Sequence, residues 1–242
     1  MKTRLLLPLA GAAMLAASAI TPAHAVLTVS FQDGGSVFTC ADGGLCDFAG
    51  STGNLLTLNT DVGAFHIFGT LSTSQSGASN VLSLSNFGVI NTGATERTLT
   101  MVVSNTGYTA PVAFIHESAS LTFGNNVGAG DSTLQFYADA GNTQGAGNPI
   151  VIPGTKVFEV SAAPADNPDS FAGTHTSIFP ITTTFSMTEV GLIDLVGGGS
   201  LTGFNQNMRT QPTPIPAAAL LLPAGIAGVG AFGRWRRKRS GA

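Results

Sequence analysis

The sequence has few charged side chains, and most of its basic residues lie at the two ends. Only 10% of the 242 residues are Asp, Glu, Lys or Arg. Between residues 26 and 211 the basic residues are Arg97, Lys156 and Arg209, against all thirteen acids of the chain, so this part has a net charge of −10. A nucleic-acid partner would need clustered Lys and Arg. The sequence therefore predicts no nucleic-acid binding by this acidic middle part.

Tryptophan and tyrosine are also scarce. The one Trp, Trp235, belongs to the C-terminal tail, and the middle part has Tyr108 and Tyr137 against fourteen Phe. Sugar-binding sites commonly use the amphipathic rings of Trp or Tyr as platforms, whereas Phe at this density indicates core packing. A lectin-like site built on aromatic platforms is disfavoured, and binding of sugars through polar Asp and Asn side chains stays open.

The first 25 residues have the three parts of a secretory signal peptide. Lys2 and Arg4 form a basic start, residues 5–20 are an apolar core, and Ala23 and Ala25 are the small residues of a cleavage site. We therefore expect export through the secretion translocon and cleavage by signal peptidase. A retained N-terminal membrane anchor is the alternative.

The chain has two cysteines, Cys40 and Cys46, separated by a segment that contains Asp42-Gly43-Gly44. An exported chain meets an oxidising compartment, and a Gly-rich turn can bring the two thiols together. We predict a local disulfide, with a pair of free thiols as the alternative. Two cysteines with no nearby His cannot complete a four-ligand metal site, and the sequence predicts no cofactor.

The last thirty residues combine a proline motif, an apolar run and a basic tail. The motif is Pro214-Ile215-Pro216-Ala217, and the seventeen residues from 217 to 233 carry no charge. As a helix they span about 25 Å, at the short end for a bilayer core of about 30 Å. A basic cluster stays on the cytoplasmic side. We therefore predict a transmembrane helix over 215–233 and a cytoplasmic tail at 234–239, whose cations are Arg234, Arg236, Arg237, Lys238 and Arg239.

This order of proline motif, weak Gly-rich apolar run and Arg-rich end resembles the PEP-CTERM sorting signal, most closely the variant that reads Val-Pro-Leu-Pro-Ala. The resemblance covers residues 212–239, and this chain has Thr213-Pro214-Ile215-Pro216 where the family has Val-Pro-Glu-Pro or Val-Pro-Leu-Pro. It implies recognition by an exosortase, a membrane cysteine transpeptidase of Gram-negative bacteria that acts near the proline motif. The implied route leads from a precursor anchored in the inner membrane to the cell surface or the exopolysaccharide matrix.

The middle part has the composition of a β protein, rich in Ser, Thr, Val, Phe, Gly and Asn and poor in Lys and Glu. Leu27, Val29 and Phe31 alternate with polar residues, as in a half-buried strand. Roughly ten short strands are predicted in all, among them 55–58, 65–71, 99–103, 182–190 and 192–196. Their spacing predicts an all-β fold with an antiparallel β-sandwich, and a β-barrel or a short β-solenoid is the alternative.

Glycine, asparagine and proline mark the predicted turns. Asn86-Phe87-Gly88 and Asn105-Thr106-Gly107 are predicted to interrupt strands, and residues 162–173, with two prolines, to form a surface loop. The predicted organisation is a signal peptide at 1–25, a β-sandwich ectodomain at 26–207, a linker at 208–213 and the sorting signal at 214–239.

Catalytic motifs are absent from the middle part. His116-Glu117 lacks the second His of a zinc-protease motif, and His66, His116 and His175 are far apart in the sequence. Asp166 and Asp169 offer hard oxygens for calcium, but the favoured interpretation is an ordinary polar turn without metal.

The sequence therefore predicts a non-enzymatic exported protein with a structural or interaction role at the cell surface or in the matrix. A carbohydrate- or calcium-binding module is the first alternative, and a secreted hydrolase with a site assembled from scattered residues is the second. The expected partners are the translocon, signal peptidase, an exosortase, the inner membrane and exopolysaccharide.

Overall fold

The computed structural model describes residues 26–50, 53–76 and 79–212. Within these ranges no helix is long and apolar enough to cross a bilayer. The predicted signal peptide and the sorting signal at 214–239 lie outside the described residues. The twelve strands of the described part are β1 (Thr28–Asp33), β2 (Ser36–Ala41), β3 (Leu55–Val62), β4 (Phe65–Ser76), β5 (Ser79–Asn91), β6 (Arg97–Tyr108), β7 (Val112–Gly124), β8 (Ser132–Asp139), β9 (Thr155–Ala162), β10 (Asp169–Ile181), β11 (Phe185–Leu195) and β12 (Ser200–Pro212).

The strands form two six-stranded antiparallel sheets. Sheet 1 has the order β2-β1-β6-β11-β8-β9, and sheet 2 has the order β10-β7-β12-β5-β4-β3. One hydrophobic cluster takes its buried residues from both sheets, as expected when two sheets pack face to face. The prediction of an antiparallel β-sandwich is confirmed.

Phenylalanine rings join the two sheets at the centre of the core. Phe31 of sheet 1 stacks on Phe87 of sheet 2 with ring centroids 5.9 Å apart, and Phe204 meets Phe87 edge-on at 5.8 Å. All three rings are fully buried. Aromatic pairs in these geometries contribute about 0.5–1.5 kcal/mol beyond their burial. The interpretation of the many Phe residues as core packing is confirmed for these rings.

The disulfide Cys40–Cys46 is present and joins the end of β2 to the following loop. Asp47 fixes the same loop, because its carboxylate accepts hydrogen bonds from the backbone N–H groups of Gly43, Ala49 and Thr57. A loop this short gives about 2 kcal/mol of stabilisation by the chain-entropy argument.

Two predicted interruptions are wrong, because the strands continue through them. Asn86 takes a left-handed φ of 50° and donates its N–H to the side-chain oxygen of Asn205, so β5 bulges and then resumes its pairing. Asn105 lies inside β6, where it is buried and donates to the hydroxyl of Thr73. At Asn86 a side chain of β12 satisfies the irregular backbone, and at Asn105 the bond joins the side chains of β6 and β4.

Three other boundaries also differ from the prediction. The loop at 162–173 is shorter, because β10 begins at Asp169 and its Phe171 packs against Phe123. Windows 182–190 and 192–196 form the single strand β11. The strand β2 was not predicted at all.

The predicted linker at 208–213 is wrong over 208–212, which form the end of β12. This strand lies between β5 and β7, and its Met208 side chain is fully buried in the core. The strands, the disulfide and the common core of the described ranges together lie within residues 26–212. This part therefore has its own hydrophobic core, which is what a domain needs in order to fold independently.

Candidate functional site: a polar groove on sheet 2

Around the middle of β7 the outer face of sheet 2 is polar, because residues of this strand alternate between core and solvent. In β7 the buried residues Ile115, Glu117, Ala119, Leu121 and Phe123 alternate with outward residues. Those outward residues are His116, Ser118, Ser120 and Thr122. Successive side chains of a strand point to opposite faces, so the small polar residues form columns on the solvent side.

Neighbouring columns line up in rows across four strands. One row is Thr176, His116, Arg209 and Val81, from β10, β7, β12 and β5. The next row is Thr174, Ser118, Asn207 and Ser83. Because adjacent strands lie about 4.8 Å apart, each row is roughly 14 Å wide.

Two adjoining depressions follow these rows, with volumes of about 470 and 310 Å³. They share Ser118, Thr174 and Asn207, so they form one continuous surface feature. We call it the polar groove. Its outward-facing lining residues are Ser83, Ser85, His116, Ser118, Ser120, Ala172, Thr174, Thr176, Asn205, Asn207 and Arg209.

Several groove side chains have no hydrogen-bond partner within the described ranges: Ser83, Ser85, Ser118, Thr174 and Asn207. By contrast, the side chain of Asn205 already has partners within the domain. It accepts a hydrogen bond from the N–H of Asn86 and donates one to the carbonyl of Gly203. The unpartnered hydroxyl and amide groups are available to a ligand that both donates and accepts hydrogen bonds.

One side chain of the groove, that of Arg209, is positively charged. Arg97 is paired with Asp33 at 2.8 Å and Lys156 with Glu159 at 2.7 Å. Arg209 is exposed and forms no ion pair in the part of the chain that the structure describes. It stands directly opposite His116, whose Nδ1 lies 2.8 Å from the hydroxyl oxygen of Thr176.

Glu117 is the only acid that lines the groove, and it lies on the core side of β7. Its side chain is 2% exposed, and burial raises the pKa of Glu117 above its usual range. His175 is directly opposite Glu117 on β10 and stacks on Phe158 at 5.0 Å. Glu117 and His175 therefore belong to the edge where the two sheets meet.

Of the three histidines singled out in the sequence, His116 and His175 line the same depression and His66 does not. His66 lies on β4, and its Nδ1 is 2.7 Å from Oδ1 of Asp61. It is level with one end of β5, whereas His116 is level with the other end of β5, at the far side of sheet 2. His116 and His175 face opposite sides of their sheet. The structure thus brings His116 and His175 to one depression beside Glu117, and it leaves His66 apart from them.

The candidate calcium loop is organised by its own backbone. The carboxylate of Asp169 accepts hydrogen bonds from the N–H groups of Ala165 and Ser170, and these backbone donors lower the pKa of Asp169. Within the described ranges, no three His, Cys, Asp or Glu side chains are arranged to hold a metal ion.

The polar groove itself was missed in the sequence analysis. Its residues come from 81–85, 116–120, 172–176 and 205–209, and none of these segments carries a recognised motif. The available signal was the repetition of Ser, Thr or Asn at every second position in several strands. That pattern shows which face is polar, but not which strands lie side by side.

An antiparallel β-sandwich with a polar groove on one outer face is the class of protein that the fold and the site define. No protein-family model matches the chain, and no curated protein is similar to it in sequence. No family is therefore assigned from sequence.

Solved structures show a limited similarity. One is TmCBM61 in complex with β-1,4-galactotriose, with 9% identity over 62% of this chain and 88% of that chain and a TM-score of 0.31. Another is a carbohydrate-binding module from Cellvibrio mixtus lichenase 5A in complex with cellotriose, with 12% identity, 66% and 89% coverage and a TM-score of 0.24. A tailspike protein of bacteriophage CBA120 has 10% identity over 59% of this chain and 19% of that chain, with a TM-score of 0.28. At these TM-scores the similarities assign neither a family nor a ligand.

Proposed function

We propose that the chain is a non-enzymatic, exported protein of the cell surface or extracellular matrix, and that its β-sandwich binds polysaccharide along the polar groove. The observation that carries this proposal is the groove itself. It is continuous across four strands, and it presents hydroxyl and amide groups that the described part of the chain leaves unpartnered.

The chemistry of the groove suits a hydroxyl-rich chain. Ser, Thr and Asn side chains both donate and accept hydrogen bonds, as sugar hydroxyls do. Each such bond replaces a bond to water and contributes only about 0.5–1.5 kcal/mol. With no Trp or Tyr among the outward-facing groove residues, each contact is weak, and retention in a matrix depends on many sites acting on long polymers.

Affinity electrophoresis tests the groove as a binding site. The 26–212 domain is run through gels containing exopolysaccharide of the producing cells or soluble galactan, with calcium chloride or with EDTA. We expect retardation, and we expect Asn207→Ala to weaken binding roughly fivefold, since it removes about one hydrogen bond.

Thr100→Ala is the matched control, because Thr100 lies on the outer face of sheet 1, between buried Leu99 and Met101. It should bind like the unmodified domain. The proposal fails if neither polysaccharide retards the domain, or if Asn207→Ala and Thr100→Ala behave alike. Retardation that requires calcium would favour a calcium-dependent site instead.

Export and sorting are supported by the signal-peptide pattern at 1–25 and by the resemblance of 212–239 to a PEP-CTERM signal. Mass spectrometry of the mature surface protein reads both cut sites at once. We expect cleavage after Ala25 and near Pro214-Ile215-Pro216. A full chain found in the cytosol would contradict the proposal.

A further inference from the structure

Arg209 is unusual in this domain because of where it lies. The other two cations between residues 26 and 211 are used in ion pairs, Arg97 with Asp33 and Lys156 with Glu159. Arg209 projects from the central strand β12 into the polar groove without such a partner in the described ranges. In a domain of net charge −10, the guanidinium that lacks an ion-pair partner within the described ranges therefore lies in the polar groove.

Among the residues that line the groove, one is acidic. Of the thirteen acids only Glu117 lines it, and Glu117 is buried on the core side of β7. The remaining neighbours of Arg209 are neutral hydrogen-bonding groups, including Asn207, Ser118 and Thr176. The charge that Arg209 brings to the groove is therefore opposite in sign to the net charge of the whole domain.

His116 adds a second group at the same place. Directly opposite residues in an antiparallel pair have Cβ atoms about 4.5–5.5 Å apart, which puts the imidazole beside the guanidinium stem. Nδ1 of His116 is engaged with Thr176, whereas Nε2 is buried and has no hydrogen-bond partner in the described part of the chain. Nε2 is closed to solvent and therefore to a ligand in this arrangement, so Arg209 is the exposed group of the pair.

From this arrangement we infer that the groove takes a polysaccharide bearing carboxylate groups, such as a uronic-acid polymer, with Arg209 as the carboxylate-binding residue. The planar guanidinium matches a carboxylate in a bidentate geometry, a stronger contact than a neutral hydrogen bond. The rows of Ser, Thr and Asn then hold the hydroxyls of adjoining sugars. This inference rests on the proposed function and specifies its ligand.

Calorimetry on residues 26–212 tests the inference with a matched pair of probes. One probe is a hexamer of α-1,4-linked galacturonate, and the other is the same hexamer with its carboxyl groups reduced to primary alcohols. The basic tail at 234–239 is outside this domain and cannot contribute. The variants are Arg209→Gln and Lys156→Gln, each of which removes one positive charge.

We expect the domain to bind the galacturonate hexamer about tenfold more tightly than the reduced hexamer, the effect of one charge-assisted contact. Arg209→Gln should abolish this preference and keep the weaker binding of the reduced hexamer, whereas Lys156→Gln should change neither. Equal binding of both probes, or a preference that survives Arg209→Gln, overturns the carboxylate assignment and leaves the groove standing as a neutral-glycan site. Binding of neither probe overturns the carboxylate assignment, and the gel experiment with long polymers then decides whether the groove binds polysaccharide at all.

Discussion

Glu189 is a carboxyl group buried in the middle of the sandwich. It lies on β11 opposite Val103 and Phe136, is fully buried, and neither of its carboxyl oxygens has a hydrogen-bond partner in the described part of the chain. Burial raises the pKa of Glu189 well above its usual range, because the charged form would lose its hydration. The folded domain therefore holds a proton that the unfolded chain releases above about pH 4.3.

This proton determines how stability depends on pH. Since the native state binds more protons than the unfolded state, the contribution of Glu189 is fully present below about pH 4.3 and falls by about 1.4 kcal/mol per pH unit above it, up to the folded-state pKa. We expect Glu189→Gln to be more stable than the unmodified domain at pH 8 and to lose this advantage at pH 4. Urea unfolding at both pH values measures the difference.

The exposed substitution Gln211→Ala removes no titratable group, so it is the control for that comparison, and its effect should be the same at both pH values. A Glu189→Gln effect that is the same at pH 4 and pH 8 would show that Glu189 ionises normally in the folded domain.

Among the elements, β12 matters most to both fold and groove. It pairs with β7 on one side and with β5 on the other, and it supplies Asn207 and Arg209 to the groove and Met208 to the core. The sequence indicated a linker here because Thr210-Gln211-Pro212 reads as polar and proline-stiffened. Met208 alone is a weak apolar signal, and only its position between two strands makes it core.

Met208→Ala separates the strand from the linker interpretation. We expect it to lower the free energy of unfolding by about 2–5 kcal/mol, because it leaves a cavity in a packed core. Gln211→Ala, three residues further on and exposed, should stay within about 0.5 kcal/mol of the unmodified domain. If the two variants have equal stability in urea unfolding, the interpretation of residues 208–213 as a linker is supported instead.

At the scale of the whole molecule, two electrostatic effects on a uronate ligand extend over different distances: repulsion by the acidic domain and attraction by Arg209 in the groove. Repulsion between a net charge of −10 and a uronate chain extends over the Debye length, about 30 Å at 10 mM salt and about 8 Å at 150 mM. The contact of Arg209 with a carboxylate acts over a few ångströms and is screened less. Moderate salt should therefore weaken the repulsion more than the contact.

We expect the galacturonate hexamer to bind more tightly at 150 mM than at 10 mM sodium chloride, and the carboxyl-reduced hexamer to be nearly insensitive to salt. Calorimetry across this range checks both. A steady loss of galacturonate affinity from the lowest salt upward, as for a basic surface that binds polyanions, would contradict this picture of the molecule.

Local patterns in the sequence were enough for the class of fold. Alternation as in Leu27, Val29 and Phe31 predicted strands, the composition predicted an all-β domain, and the short spacing of Cys40 and Cys46 predicted their disulfide. These features depend on the alternation of side chains along a strand and on short loops. Both are determined by residues that are close together in the sequence. The errors at Asn86 and Asn105 arose because residues typical of turns are satisfied here by hydrogen bonds from distant strands.

The sequence by itself determined that the residues of most strands alternate between core and solvent, and it predicts targeting signals at both ends. Only the tertiary structure decided that Thr176, His116 and Arg209 lie side by side, although they are widely separated along the chain. The reason is that the strands pair in the order that lets the two sheets bury their inner faces against each other. In that order the last strand, β12, lies between β5 and β7. Which polar columns become neighbours is therefore a property of the assembled sandwich.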